Sequence, residues 1–385
     1  MADVVVVGIG ADGWPGLGEQ AREAVAKAEV IAGSHRQLSL LPDTPAELRP
    51  WPSPLMPALR ELLTCGRRIV VLASGDPMHH GIGATIARIV PEVRVIPHPS
   101  SVSLACARLG WPVESVTVVS MVGRPLAAVF APGRRFVVLS EGSGSPAAVA
   151  EALSACGYDR SAVTVLEQLG GPGERVGPIR DDHDPLNVVA VECVADDPLP
   201  IVPGLPDDAY DHDGQLTKRE VRAVVLAFLQ PGGLLWDVGG GAGSIAIEWM
   251  RADRSCRAVT VERDPARAAR IAGNAARLGV PALKVVTGAA PQALAGLEPP
   301  DAVFIGGGLT AEGVPETCWQ ALKPGGRLVA TAVTVESESV LARWHRDRGG
   351  DLTRLSVSRA APVGGFTGWR PAMPVTIWSV RKDLT

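Results

Sequence analysis

Twice in this chain a short, largely apolar run breaks into a glycine-spaced turn, and that doublet constrains the fold more than any other feature. Residues 4–7 run into Gly8-x-Gly10-x-x-Gly13, and residues 234–238 run into Gly239, Gly240, Gly241, Ala242 and Gly243. The first run is unbroken valine and reads as a strand buried on both faces. Such strands belong to sheets covered by helices on either side. The first half continues with expected strands at 30–32, 67–73 and 93–96 and helical patterns at 17–29, from Ile82, and over 101–109. After Gly110-Trp111-Pro112 the pattern resumes, with strands at 116–120, 136–139, 163–167 and 186–193 and a helix beginning at Ser145-Pro146. Alternation of this kind predicts mostly parallel α/β sheets whose strand-end loops gather at one edge.

At 385 residues the chain exceeds one ordinary core, so two domains are expected. The stretch 195–214 holds four prolines and six aspartates and has a linker composition. We therefore expect one domain over 1–200, with subdomains of about 1–113 and 114–200, and a second over 201–385. The second opens with Thr217-Lys218-Arg219-Glu220, which has the spacing of a capping box with Thr217 as the cap. Strands are expected at 234–238, 258–262, 284–287, 302–305 and 327–333. The final pair, 352–359 and 374–380, has no helical pattern between its members. That pair predicts a β-hairpin at the sheet edge with a reversed last strand.

The net charge of −4 argues against a protein built to grip nucleic acid. No apolar stretch approaches the 18 or so residues needed to cross a bilayer, and no basic leader precedes the first strand, so a cytoplasmic location is expected. The six cysteines and seven histidines show no metal-ligand spacing, and the cysteines read as reduced buried thiols.

The opening turn is an incomplete nicotinamide fingerprint. Trp14-Pro15-Gly16 separates the glycines from the helix, and no acid closes the second strand. Two further strand-end loops accompany it, Ser74-Gly75-Asp76-Pro77 and Pro97-His98-Pro99-Ser100-Ser101. In the second half, Glu262 lies 19 residues beyond Gly243 at the end of the next strand. A carboxylate there accepts both hydroxyls of a ribose, which fits S-adenosylmethionine and NAD alike. The reversed terminal strand favours a class I methyltransferase.

The segments VVVVGIGADG, ASGDPMHHGIGATI, VIPHPSSVSLACARLGWP and LSEGSGSPAAVAEAL, in that order, resemble the tetrapyrrole methylase family over roughly residues 1–195. The resemblance implies two α/β subdomains holding S-adenosylmethionine, with Gly10, Ala11, Ser74, Gly75, Asp76, Ser100 and Ser101 at the cofactor. Residues 205–385, through LTKREVRA, WDVGGGAGSIAIEW, TVERDPARAARIAGNAARLG and LKPGGRLVATAVTVES, resemble the class I methyltransferases of cobalamin synthesis that act on carbon 15 and decarboxylate an acetate side chain. That likeness puts Thr217, Gly239, Gly240, Gly241, Ala242, Gly243, Glu262 and Ala290 at a second S-adenosylmethionine. Ala289 stands where such enzymes often carry an acid.

Taken together, the likenesses imply two methyl transfers, to carbons 5 and 15 of precorrin-6B, with loss of the ring-C acetate carboxyl. The product would be precorrin-8X, on the aerobic route to cobalamin. The implied partner is a small tetrapyrrole rather than nucleic acid or membrane, and the implied assembly is a homodimer or homotetramer without metal. A substrate rich in carboxylates calls for basic anchors, for which Arg36, Arg124, Lys218 and Arg219 are the candidates. His79 and His80, beside the Gly-Asp-Pro loop, are candidates for handling protons. An RNA methyltransferase and a nicotinamide oxidoreductase are the rival readings.

Overall fold

The computed structural model describes residues 3–384. Two compact units emerge. The first runs to Arg124 and resumes over Pro132–Ser154 and Asp159–Ala195. The second holds the chain from Asp196 onward, together with Pro125–Ala131 and Ala155–Tyr158.

The first unit contains two sheets. One comprises β1 (Asp3–Ile9), β2 (Val30–Gly33), β3 (Glu47–Pro50), β4 (Arg68–Ser74) and β5 (Arg94–Ile96), ordered β3-β2-β4-β1-β5 and wholly parallel. The valine run of β1 lies in its interior, between β4 and β5, and its alternating residues feed two cores. Val4 and Val6 pack with Leu59, Leu62 and Val71 on one face, while Val7 and Ile9 pack with Leu17, Val25 and Leu72 on the other. This is why the run carries no polar alternation. Register places Ile9 opposite Ser74 and Val7 opposite Ile96, so the loops after β1, β4 and β5 leave the sheet side by side.

The second sheet comprises β6 (Val116–Ser120), β7 (Arg135–Leu139), β8 (Ala162–Glu167), β9 (Arg175–Gly177) and β10 (Asn187–Glu192), ordered β6-β7-β10-β8-β9. Only β6 and β7 run parallel; the other pairings are antiparallel. This corrects the expectation of mostly parallel sheets. Between β6 and β9 only one helix, Ser145–Ala155, intervenes, and a short β8–β9 connection permits only antiparallel pairing. The helix Ser101–Leu109 packs Val102, Ala105 and Cys106 onto Val137, Leu166 and Val188 of this sheet.

The second unit is a single seven-stranded sheet with a small appendage. Its strands are β11 (Leu234–Val238), β12 (Arg257–Glu262), β13 (Lys284–Thr287), β14 (Ala302–Ile305), β15 (Arg327–Ala332) and β16 (Asp351–Leu355), followed by β17 (Ser358–Val363), β18 (Phe366–Pro371) and β19 (Val375–Arg381). The order is β13-β12-β11-β14-β15-β19-β16, and β19 runs antiparallel to both its neighbours. The reversed terminal strand is therefore as expected. Its hairpin partner is not a single strand over 352–359, because that stretch divides between β16 and β17. β17 and β18 form a separate ribbon around Gly364-Gly365, with Phe366 84% and Trp369 77% exposed.

The aspartate- and proline-rich stretch is partly built into this unit. Glu248 is buried and accepts the amides of Gly204 and Leu205 and the Tyr210 hydroxyl, and it also pairs with the fully buried Arg222. A buried ion pair is tolerated when every remaining lone pair is satisfied in this way. Among the described residues no disulfide joins the six cysteines, no cluster could hold a metal ion, and no helix is long and apolar enough to cross a membrane.

Candidate functional site

In the first unit the three strand-end loops open on one cavity of about 480 Å³. Gly10, Ser74, Gly75, Asp76, Ser100, Ser101 and Arg36 all line it, as do His79 and His80. Ala11 and Arg124 do not. Ala11 packs against Gly171, where an added Cβ would lie 2.7 Å from its own, and Arg124 is exposed with Nε 3.5 Å from the Val122 carbonyl. The loops approach so closely that a Cβ on Gly8 would lie 2.1 Å from the Gly75 carbonyl oxygen. Bare backbone at this position is what lets two strand ends share one ligand space.

Local hydrogen bonds fix the polar groups of this cavity. Ser34 caps the helix His35–Ser39, and the Gln37 side-chain carbonyl accepts the Ser34 amide at 2.7 Å. Gln37 Nε2 then donates to Ser74 Oγ at 3.1 Å, and Arg36 Nη2 donates to the same oxygen at 2.9 Å. Burial pulls the Arg36 guanidinium below its usual range, against the opposing charge of Asp184. Ser100 Oγ is engaged as the cap of its helix, accepting the Ser103 amide at 3.0 Å.

Across the cavity, Pro185, Leu186 and Asn187 are held by a buried carboxylate the sequence reading missed. Glu167 accepts the Asp184 amide, Arg180, His183 Nδ1 and Arg175. Burial alone would raise its carboxyl, but these four donors hold it at about 2. Glu167 was legible only as the last residue of a strand, since its partners come from β9 and the loop after it.

In the second unit the glycine turn, Glu262 and the chain before the first helix converge. Gly239, Gly240, Gly241, Ala242 and Gly243 join β11 to the helix Ser244–Ala252. Glu262 is 4% exposed, and its two oxygens accept the amides of Gly241 (2.9 Å) and Asp264 (3.0 Å). Each oxygen keeps a second lone pair. Gly241 has φ +58°, and a Cβ there would lie 2.7 Å from the Gln215 carbonyl oxygen. Thr217 follows two residues later, but it does not cap the helix as expected. The cap position falls on Lys218, and Asp207 from twelve residues upstream accepts the Arg219 amide at 3.0 Å instead. Lys218 Nζ lies 3.8 Å from the same carboxylate, so this candidate anchor already has an acidic partner; the Arg219 side chain is exposed. Ala290 packs half-buried against the core beside β11 and β12, and Ala289 is exposed.

Two polar residues of this unit went unremarked in the sequence. Asp237 is entirely buried at the end of β11, and burial pushes its carboxyl up to about 7 against hydrogen bonds from the Ala246 amide and the Thr260 hydroxyl. Asn274 is 1% exposed and uses both ends of its amide. Oδ1 accepts the Asp211 amide and Arg277, while Nδ2 donates to the carbonyls of Asp211 and Ala242. It thus ties segment 211–215 to the glycine turn. The signal was present in each case: one acid inside LLWDV, and one amide on the apolar face of a helix.

Both sites suit S-adenosylmethionine on their own geometry. Positive-φ glycines give backbone access, and a buried carboxylate with free lone pairs stands one strand away in the second unit. When bound, that group supplies an electrophilic methyl on a sulfonium.

Its family matches make the chain a methyltransferase with an N-terminal tetrapyrrole methylase portion and a C-terminal precorrin methyltransferase portion. Residues 3–180 match the tetrapyrrole (corrin/porphyrin) methylases, and residues 208–382 match the precorrin methyltransferase domain. A precorrin-6Y C(5,15)-methyltransferase (decarboxylating) of Sinorhizobium sp is 49% identical over 98% of this chain and 96% of its own. One of Mycobacterium tuberculosis is 46% identical over 98% of this chain and 100% of its own. The crystal structure of the C-terminal domain of precorrin-6Y C5,15-methyltransferase from Rhodobacter capsulatus is 44% identical and covers 48% of this chain and 100% of that chain, with a TM-score of 0.46. The chain belongs to the precorrin-6Y C(5,15)-methyltransferase (decarboxylating) family, whose members are S-adenosylmethionine-dependent.

Proposed function

We propose that the chain transfers two methyls from S-adenosylmethionine to carbons 5 and 15 of precorrin-6B and releases the ring-C acetate carboxyl as carbon dioxide. The product is precorrin-8X, on the aerobic route to cobalamin. The observation that carries this reading is full-length identity to relatives named for the joined activities. The portion over 1–200 takes carbon 5, and the portion over 201–385 takes carbon 15 and the decarboxylation.

Methyl transfer from a sulfonium is an in-line displacement, so the chain's main task is to place donor against acceptor. In the second unit the Glu262 carboxylate holds the ribose and the glycine turn admits the rest of the donor. In the first, the loops after β1, β4 and β5 do the same. The acceptor carbon supplies the electron pair and loses its proton, for which His79 and His80, which line the first cavity, are the candidates. In the second unit the pair released with carbon dioxide passes into the conjugated macrocycle, so no protein nucleophile is required.

The reading further places the chain in the cytoplasm as a homodimer or homotetramer. It acts without metal on a small molecule, in keeping with its net charge of −4.

Incubation with S-adenosylmethionine and the reduced hexamethylated precorrin, read by mass spectrometry, tests the proposal. Two methyls gained with one carbon dioxide lost is the expected result. No mass change, with the donor shown to bind, would overturn it.

A further inference from the structure

We propose that Arg36 and Ser74, aligned by Gln37, form a carboxylate-selective subsite in the cavity of the first unit. The inference rests on reading that cavity as the place where donor and macrocycle meet. The Gln37 side-chain carbonyl is committed to the Ser34 amide at 2.7 Å, so its amino group is the end that faces Ser74. Ser74 Oγ therefore receives two N–H groups, one from Gln37 at 3.1 Å and one from Arg36 at 2.9 Å. A hydroxyl oxygen has two lone pairs. With both taken, Ser74 has only its own hydrogen to offer, and it can act on a ligand only as a donor.

Arg36 reinforces this polarity. It is half-buried, and Nη2 to Ser74 is the only hydrogen bond of its guanidinium among the described residues, which leaves most of its five N–H groups open. Asp184 opposes this charge without a hydrogen bond or ion pair to Arg36 among the described residues; its own oxygens accept Gln168 Nε2 at 2.6 Å and the Leu186 amide at 2.7 Å. Arg36 is the one arginine or lysine among the residues lining the cavity, where Asp76 and Glu141 are also present. An N–H fork beside an O–H donor matches a carboxylate, favours it over a neutral amide and disfavours an ammonium group.

Two carboxylates reach such a cavity: that of the donor's amino-acid end, and those of the macrocycle side chains. The test uses the full chain carrying Glu262→Ala to silence the second site, with Arg36→Gln, Arg36→Lys, Ser74→Ala and Ser74→Thr added singly. Calorimetry reads S-adenosylhomocysteine and 5′-methylthioadenosine, which lacks the carboxylate. Turnover reads KM and kcat for the first methylation of the hexamethylated precorrin.

If the donor's carboxylate is held, R36Q and S74A weaken S-adenosylhomocysteine about 10- to 100-fold and leave methylthioadenosine unchanged. If a macrocycle carboxylate is held, KM rises by a similar factor at constant kcat while both nucleosides bind as before. Either result supports the subsite, and recovery in S74T, which restores the O–H, separates it from misfolding. Unchanged binding and KM in R36Q and S74A would overturn it. So would equal losses for both nucleosides that S74T does not repair. Should the parent E262A chain bind no S-adenosylhomocysteine, the donor-site reading of the cavity fails, and the subsite is then decided by direct calorimetric binding of the hexamethylated precorrin, which R36Q and S74A should weaken if the subsite exists and leave unchanged if it does not.

Discussion

At the scale of single residues, the second unit depends on two buried carboxyl groups in opposite electrostatic situations. Glu262 has its hydrogen bonds satisfied, with one backbone amide on each oxygen. Glu262→Ala strips both amides of their acceptor and removes the proposed ribose partner, a loss of about 1–3 kcal/mol per unmet group. We expect the variant to give a product with one added methyl and no loss of carbon dioxide, read by mass spectrometry. Asp237 is the reverse case, since burial raises its carboxyl from 3.8 to about 7. Between those values the folded chain holds a proton that the unfolded chain has lost, so this residue's contribution to stability falls as pH rises through the window and is level above it. Asp237→Asn removes that dependence. Denaturant titrations of the variant and the parent should therefore converge or cross between the two values, and a constant difference across them would contradict the burial argument.

Elements, rather than residues, decide whether the glycine turn of the second unit works. Gly241 sits at φ +58° under the Gln215 carbonyl, and Asn274 ties Asp211 to Ala242. Gly241→Ala should weaken S-adenosylhomocysteine at this site at least tenfold, because both the backbone angle and the 2.7 Å approach oppose a side chain. Asn274→Asp keeps the shape but turns an acceptor toward two carbonyls. Hydrogen exchange over 211–215 should quicken in that variant while β1 and β4 stay protected. The same scale shows what a linear reading reaches. The buried runs of β1 and β11, the loops beside Ser74 and Ser100 and the reversal of β19 are visible as runs, spacings and order. Asp207 capping the helix at Arg219 is not, because its carboxylate comes from outside the helix and displaces a local box that looked complete. β3 and the β17–β18 ribbon were also hidden. Glu47 and Pro50 are exposed, as are both ends of the ribbon, so neither element leaves an alternating apolar pattern. Arg36 was singled out for its charge alone; the Gln37–Ser74 geometry that gives it a direction depends on register between β2 and β4.

At the scale of the whole molecule, each unit has its own apolar core and its own glycine-lined strand ends. Calorimetry of the parent chain should therefore give two S-adenosylhomocysteine sites, with one lost in E262A and the affinity of the other unchanged within about twofold. The position of β19 carries a further implication for how the chain is made. This strand is the last element described, yet it lies inside the sheet, between β15 and β16. During synthesis the first unit's strands are all available long before β19 has left the ribosome. Until it arrives, β15 presents an open edge and β16 has no neighbour at all, the condition under which strands pair with the wrong chain. Translation rate and chaperone supply over the stretch that delivers β19 should consequently govern the yield of the carbon-15 methylation proposed for the second unit far more than that of the carbon-5 methylation proposed for the first.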